Sequence, residues 1–245
     1  GSIKKRISMV HGVIVKELEQ RADAAQAKIL SGFFKTGKGQ YGEGDIFRGI
    51  KVPVIREIVN KHCKTVSLDE ITLLLHSVYH EDRLCALLLL VRIMSGADER
   101  LQTKIFTLYA KNTRYINNWD LVDLSAPQIT GVYFEYRPRE QLYKWAKSEL
   151  LWERRISVLS TFWYIKKSSF DDAFAIIEML LGDKEDLLHK ACGWMLREIG
   201  KRDQSVLEIF LKKHYTKLPR TTLRYAIERF EEPKRQVYLK GTFRN

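Results

Sequence analysis

An indole set among cations is the first feature of this chain that could do chemistry. In HKACGWMLREIGK, Trp194 shares a helix face with Lys190, Arg197 and Lys201, at steps of minus four, plus three and plus seven. The apolar arc of the same helix is Leu188, Cys192, Met195 and Ile199, and Trp194 lies well off it. Such a face meets phosphates with its ammonium and guanidinium groups and stacks its ring on a sugar or base. A tryptophan packed under the aliphatic stems of lysine and arginine fits the same spacing.

Two further segments place unexpected residues. In NNWDLVDLSAP, Trp119 and Asp123 are four apart and share one face, while Leu121 and Leu124 point roughly the opposite way. Asn117 or Asn118 can cap this short helix, Pro127 helps end it, and Asp120 suits the dipole of its first turn. If the leucines anchor the helix, Trp119 and Asp123 are presented elsewhere, to a cleft. Core packing for the indole and a structural ion pair for the acid remain open. In LLWERRISVLSTFWYIKK, Arg155 falls within the arc of Val158, Leu159 and Phe162, where an unpaired charge is costly. Its partner is an acidic side chain of a neighbouring helix or a nucleic-acid phosphate.

Other candidates carry less. His76 and His80 share a helix face without a third ligand, so both are expected to be structural and no metal site is expected. Lys212, Lys213, Lys217, Arg220, Arg224 and Arg229 form a solvated rim or a phosphate-binding one. No Ser-His-Asp set, HExxH or glycine-rich nucleotide signature occurs, and no cofactor is expected.

These residues must be carried by helices. Periodicity of 3.6 dominates from Val10 onward, with no convincing alternating β-branched segments. Similar amphipathic segments carry a polar or aromatic anchor at Arg83, Trp119, Arg155, Lys190 and Arg224, at intervals of 36, 36, 35 and 34 residues. A period near 35 suits a two-helix repeat whose apolar stripe is buried only by stacking on the next. The expected fold is therefore all-α, an α-solenoid of HEAT-like helical pairs with a concave basic face, forming one domain over residues 10–245. Residues 1–9 are expected to be a basic, poorly ordered segment in which Gly1–Ser2 is a cloning remnant.

One stretch breaks the pattern. Gly37, Gly39, Gly42, Gly44 and Gly49 lie within KTGKGQYGEGDIFRG, which cannot be a stable helix. It is either a flexible connector or a loop whose amides, with Lys35, Lys38 and Lys51, approach phosphates. Pro53 suits the first turn of the helix that follows.

Composition agrees with a polyanionic partner. The 245-residue chain is 45% hydrophobic, carries a net charge of +12 and has a pI near 9.5. That excess raises affinity for polyanions, although charge alone does not choose among DNA, RNA, an acidic protein and an anionic membrane. No apolar run approaches the roughly 20 residues that span a bilayer, and no secretory signal follows Lys4–Arg6. Cys63, Cys85 and Cys192, odd in number and widely spaced, fit reduced thiols of a cytosolic protein.

The segments GDIFRGIKVPVIR, WDLVD, WERRIS, ACGWMLREIGK and TTLRYAIERF together resemble the AlkD-like DNA alkylation repair glycosylases, which are built from HEAT-like repeats. The resemblance covers nearly the whole chain, and WDxVD followed about 70 residues later by GWxLRE is its most specific part. It implies that Asp123 is the catalytic carboxylate and that Trp119 and Trp194 are aromatic walls beside the damaged nucleotide. Arg155 would hold a nearby phosphate, and Arg197 and the Lys51–Arg56 region would face DNA; Lys190 and Lys201 on the Trp194 face and Arg224 on the C-terminal rim are the further candidate contacts read from spacing. Asn118 stands where some members carry another tryptophan, which bears on lesion preference.

The implied substrates are N3- and N7-alkylated purines in double-stranded DNA, such as 3-methyladenine and 7-methylguanine. An alkylated purine is cationic and leaves without a general acid. Asp123 and the indoles would then stabilise the oxocarbenium-like sugar, and no base-flipping pocket would be needed. The implied protein is a monofunctional glycosylase, a monomer, cytoplasmic and associated with a bacterial nucleoid. Rival readings are a non-catalytic scaffold for branched or damaged DNA or RNA, and an adaptor for an acidic protein.

Overall fold

The computed structural model describes residues 2–243, with side chains from residue 9 onward. It is all-α, as the periodicity requires; among the described residues, extended pairing is confined to one isolated bridge between Ile46 and Tyr79. No helix among them is long and apolar enough to cross a membrane. The chain divides into two compact units, Gly1–Ile129 and Thr130–Asn245.

The first unit contains α1 (Ser2–Gln20), α2 (Ala24–Phe33), α3 (Val52–His62), α4 (Leu68–Leu75), α5 (His80–Met94), α6 (Glu99–Lys111) and α7 (Trp119–Asp123). The side chains of the basic segment expected over residues 1–9 lie, up to residue 8, outside the described residues, and the backbone from Ser2 belongs to α1. Ser67 and Glu70 form a reciprocal cap at the start of α4. Helix α5 is the centre of this unit and packs against α1, α3, α4, α6 and α7. That explains why its sequence is a run, Ala86–Leu90, and not a stripe: a helix enclosed on every side is apolar all round. Pro53 sits in the first turn of α3, as expected.

The second unit contains α8 (Glu140–Ala146), α9 (Leu151–Ser160), α10 (Phe162–Ile165), α11 (Asp171–Leu180), α12 (Asp186–Arg202), α13 (Gln204–His214), α14 (Arg220–Ala226) and α15 (Glu232–Lys240). Its centre is α12, which packs against α9, α10, α11, α13 and α14. Leu188, Cys192, Met195 and Ile199 are buried, as the periodicity predicts. Gly193 lets α14 approach closely, since a Cβ there would lie 2.5 Å from Tyr225 Cβ and 2.9 Å from the Thr222 carbonyl oxygen. The five repeat anchors fall on α5, α7, α9, α12 and α14.

Candidate active site

Helix α7 is only five residues long, too short to be stable alone, so its surroundings must hold it. Asn118, wholly buried, caps it: its side-chain oxygen accepts from Trp119 N–H, while Nδ2 donates to Asp45 Oδ2 at 3.2 Å. Leu121 and Val122 are wholly buried, whereas Trp119, Asp123 and Leu124 are half-buried. The expected pair of anchoring leucines is thus replaced by the adjacent Leu121 and Val122.

Trp119 is both packed and partly exposed. Phe34 stacks on it at 5.1 Å between centroids and 25° between planes, and Phe33 meets it edge-on at 6.0 Å. Its Nε1–H donates to the Tyr41 hydroxyl at 3.3 Å. Asp123 is close enough to the buried Tyr109 for its charge to matter: burial raises the Tyr109 pKa most, and the Asp123 carboxylate adds to that rise. The Tyr109 hydroxyl lies 2.8 Å from Ser125 Oγ, which in turn donates to the Leu121 carbonyl.

Asp120 stands in the first turn of α7, as expected, where its Oδ1 accepts from the Leu121 N–H at 2.9 Å. It is buried, and its Oδ2 takes a hydrogen bond from His80 Nε2 at 2.7 Å. His80 Nδ1 meets Asp45 Oδ2 at 2.6 Å, and Arg83 Nη2 meets Asp45 Oδ1 at 2.6 Å. Burial opposes the charge on His80, but the bonds and charges of Asp120 and Asp45 outweigh it and lift the imidazole to about 9. Burial likewise opposes ionisation of Asp45, but His80 and Arg83 hold its carboxyl below the usual range. The expected shared face of His76 and His80 does not exist, because α4 ends before His76 and α5 begins at His80. His76 instead stacks on Tyr115 at 4.2 Å and meets Asn112 at 2.6 Å. Both imidazole nitrogens of His80 are engaged by carboxylates, and no group among the described residues is arranged to hold a metal ion.

The glycine-rich segment is a brace. Glu81, buried at the head of α5, accepts from the amides of Arg48, Gly49 and Ile50 at 2.8, 2.7 and 2.9 Å. Arg48 forks onto Asp82, and the amides of Gly37 and Gly39 end on Gln40 and Glu43. Those amides are taken, so they do not offer the amide cradle for phosphate that is one of the two expectations for this segment. Lys35, Lys38, Lys51 and Arg56 are exposed.

In the second unit, Trp194 is half-buried with its ring 5.6 Å from Phe162. Each of its predicted cationic neighbours has a carboxylate: Lys190 with Asp186 at 3.0 Å, Lys201 with Glu198 at 2.9 Å, and Arg197 with Glu228. Arg224 on α14 is exposed. Arg155 is buried at 5% exposure, and its Nη1 donates to the Leu187 carbonyl at 2.7 Å. One partner of this guanidinium is thus backbone, a possibility the sequence did not raise.

An all-α chain with an acid and an indole on a short, clamped helix has clear relatives. The family described as DNA alkylation repair enzyme matches residues 14–230, and the chain belongs to that family. A solved structure described as a predicted DNA alkylation repair enzyme from Enterococcus faecalis is 17% identical, with a TM-score of 0.68 over 86% of this chain and 98% of that one. At that identity the likeness concerns the fold. No curated protein matches.

Proposed function

We propose that this protein is a monofunctional DNA glycosylase that hydrolyses the N-glycosidic bond of cationic N3- and N7-alkylated purines in duplex DNA, with Asp123 as its catalytic carboxylate. The observation that carries this is the α7 helix of a DNA alkylation repair family member: Asp123 and Trp119 are half-exposed on it, while Asn118 and Asp120 are buried to hold it.

In the proposed reaction the bond electrons leave with the purine, which neutralises its alkylation charge. The sugar becomes oxocarbenium-like. The Asp123 carboxylate offsets that charge and positions a water to attack C1′, the water's proton leaving to solvent or to Asp123. The face of Trp119 not covered by Phe34 would lie against the same cation. Trp194 is proposed as a second aromatic contact to the damaged strand. Lys51, Arg56, Lys190, Arg197, Lys201 and Arg224 are proposed to bind phosphates. The exposed pair of Lys190 with Asp186 favours this reading because such pairs are worth only about 0–1 kcal/mol and exchange readily for phosphate, whereas Lys201 would have to leave the buried Glu198. Arg155 would meet a phosphate only by the small part of its side chain that reaches solvent.

The test is release of 7-methylguanine and 3-methyladenine from methylated duplex DNA by wild type and Asp123→Asn. A loss of about a hundredfold or more is expected for the variant. Undiminished release by folded variant would remove Asp123 from its role. DNA binding without release by either protein would make the chain a scaffold.

A further inference from the structure

Two hydrogen bonds to two ionised acceptors need two N–H donors, and of the imidazole forms only the imidazolium has them. That is the situation of His80, 2% exposed, with Nδ1 on Asp45 and Nε2 on Asp120. The three residues come from three separate places: the glycine-rich segment, α5 and α7. Removing the proton would leave a ring-nitrogen lone pair facing a carboxylate oxygen at hydrogen-bond distance, a repulsive contact in a buried site.

We infer that His80 is a positioning residue of the Asp123 site: its imidazolium bridges Asp45 to Asp120, holding α7 against the glycine-rich segment in the arrangement that presents Trp119 and Asp123, and loss of its proton releases that arrangement. In its activity readout this inference rests on the glycosylase reading above.

The other charged groups nearby are already committed. On α5, Glu81 serves the amides of residues 48–50, Asp82 serves Arg48 and Ser77, and Arg83 serves Asp45 and the carbonyls of Ser77 and Val78. From the glycine-rich side come Asp45 and the ring of Phe47, stacked on His80 at 4.4 Å, with Phe34 at 5.0 Å. From the α7 side come Asp120 and the capping Asn118, which shares Asp45 Oδ2 with His80. His80 is therefore the cation bonded to Asp120, and the same cluster reaches Trp119 by two routes. Phe34 lies against both rings, and Asp120 is next to Trp119 in the chain.

Nitrogen-15 NMR of the histidine side chains, in wild type and His80→Gln, tests this directly. Both ring nitrogens of His80 should be protonated at pH 7, with a midpoint near 9. The Trp119 indole N–H resonance, assigned by its loss in Trp119→Phe, should move with the same midpoint and be displaced at pH 7 in His80→Gln. On methylated DNA, kcat of His80→Gln should fall by about tenfold or more with KM within about threefold, and the variant should lose the alkaline limb of the wild-type kcat profile. A His80 carrying one proton at pH 7, or a Trp119 resonance indifferent to the His80 titration, would overturn the inference. If His80→Gln does not fold, the wild-type titration decides alone. Both NMR readouts stand even where no base is released, so failure of the glycosylase reading is separable from failure of this one.

Discussion

The indole N–H of Trp119 ends on the hydroxyl of Tyr41, 78 positions earlier in the chain. With Phe34 stacked on the ring, the N–H edge and one face of the indole are already engaged by the protein. Removing the hydroxyl in Tyr41→Phe should cost about 0.5–1.5 kcal/mol in urea unfolding. Truncating the buried ring in Phe34→Ala should cost about 3–5 kcal/mol. A loss for Tyr41→Phe as large as that for Phe34→Ala would mean that the hydrogen bond matters as much as the stacked ring.

Glu81 should be among the least replaceable side chains in the first unit. Three backbone amides converge on its carboxylate, and Glu81→Gln would turn an amide NH₂ toward donors. A loss of about 2–4 kcal/mol in urea midpoint analysis is expected. Gly49→Ala should be at least as harmful: its φ is +87°, and a Cβ there would sit 2.0 Å from the Asp23 carbonyl oxygen. Either variant at wild-type stability would show that the brace is dispensable.

Stability should fall on the alkaline side. His80 binds its proton more tightly folded than unfolded, so its contribution is fully present below about 6.5 and is lost as pH rises to about 9. The size is on the order of 3 kcal/mol at most. Asp45 acts in the opposite sense, stabilising above 3.8 and ceasing to do so as pH falls. Urea midpoints from pH 5 to 9.5 should therefore decline toward the upper end in wild type and stay flatter there in His80→Gln. A parallel decline in both proteins would assign the loss to other groups.

Lys51 and Arg56 are exposed on or beside α3, where a duplex backbone would meet them. Replacing either with Gln should flatten the dependence of log affinity on log salt by about 0.9 for each phosphate no longer neutralised. The weakening should be equal for methylated and unmodified duplexes, since phosphates carry no lesion information. Fluorescence anisotropy between low and moderate salt measures both, and an unchanged slope would take the residue off the DNA surface.

The parts of this structure that follow from local rules are legible in the sequence. The buried arc of α12, the Asn118 cap and the short WDLVD helix are set by periodicity and capping within a few residues. The charged quartet His80–Arg83 is not legible. Each of these four ionisable residues is 4% exposed or less, yet the sequence singles out only His80, as structural, and Arg83, as a repeat anchor, and gives no partner for either. Apart from Ser77 and Val78, their partners lie in the glycine-rich segment, at Ile50 just beyond it and on α7, 31 to 40 positions away, and no local pattern reports a pairing at that separation. The glycines declare a non-helical segment, but Glu81, which fixes its end at Gly49, is likewise remote. Arg155 shows the same limit: its place inside an apolar arc signals a partner, but not that a backbone carbonyl is one.

The brace between α2 and α3 is tight at its root and slack at its tip. A Cβ on Gly42 or Gly49 would collide with backbone, whereas Gly39 has open space and Gly37 faces only the flexible end of Gln40. A probe or epitope grafted between Lys38 and Gly39 would ride outside the clamped portion. A protease nick at the same place would leave two fragments that stay together, because α1 packs on α3, α4 and α5 and the Asp23 N–H donates to the Arg48 carbonyl across the cut.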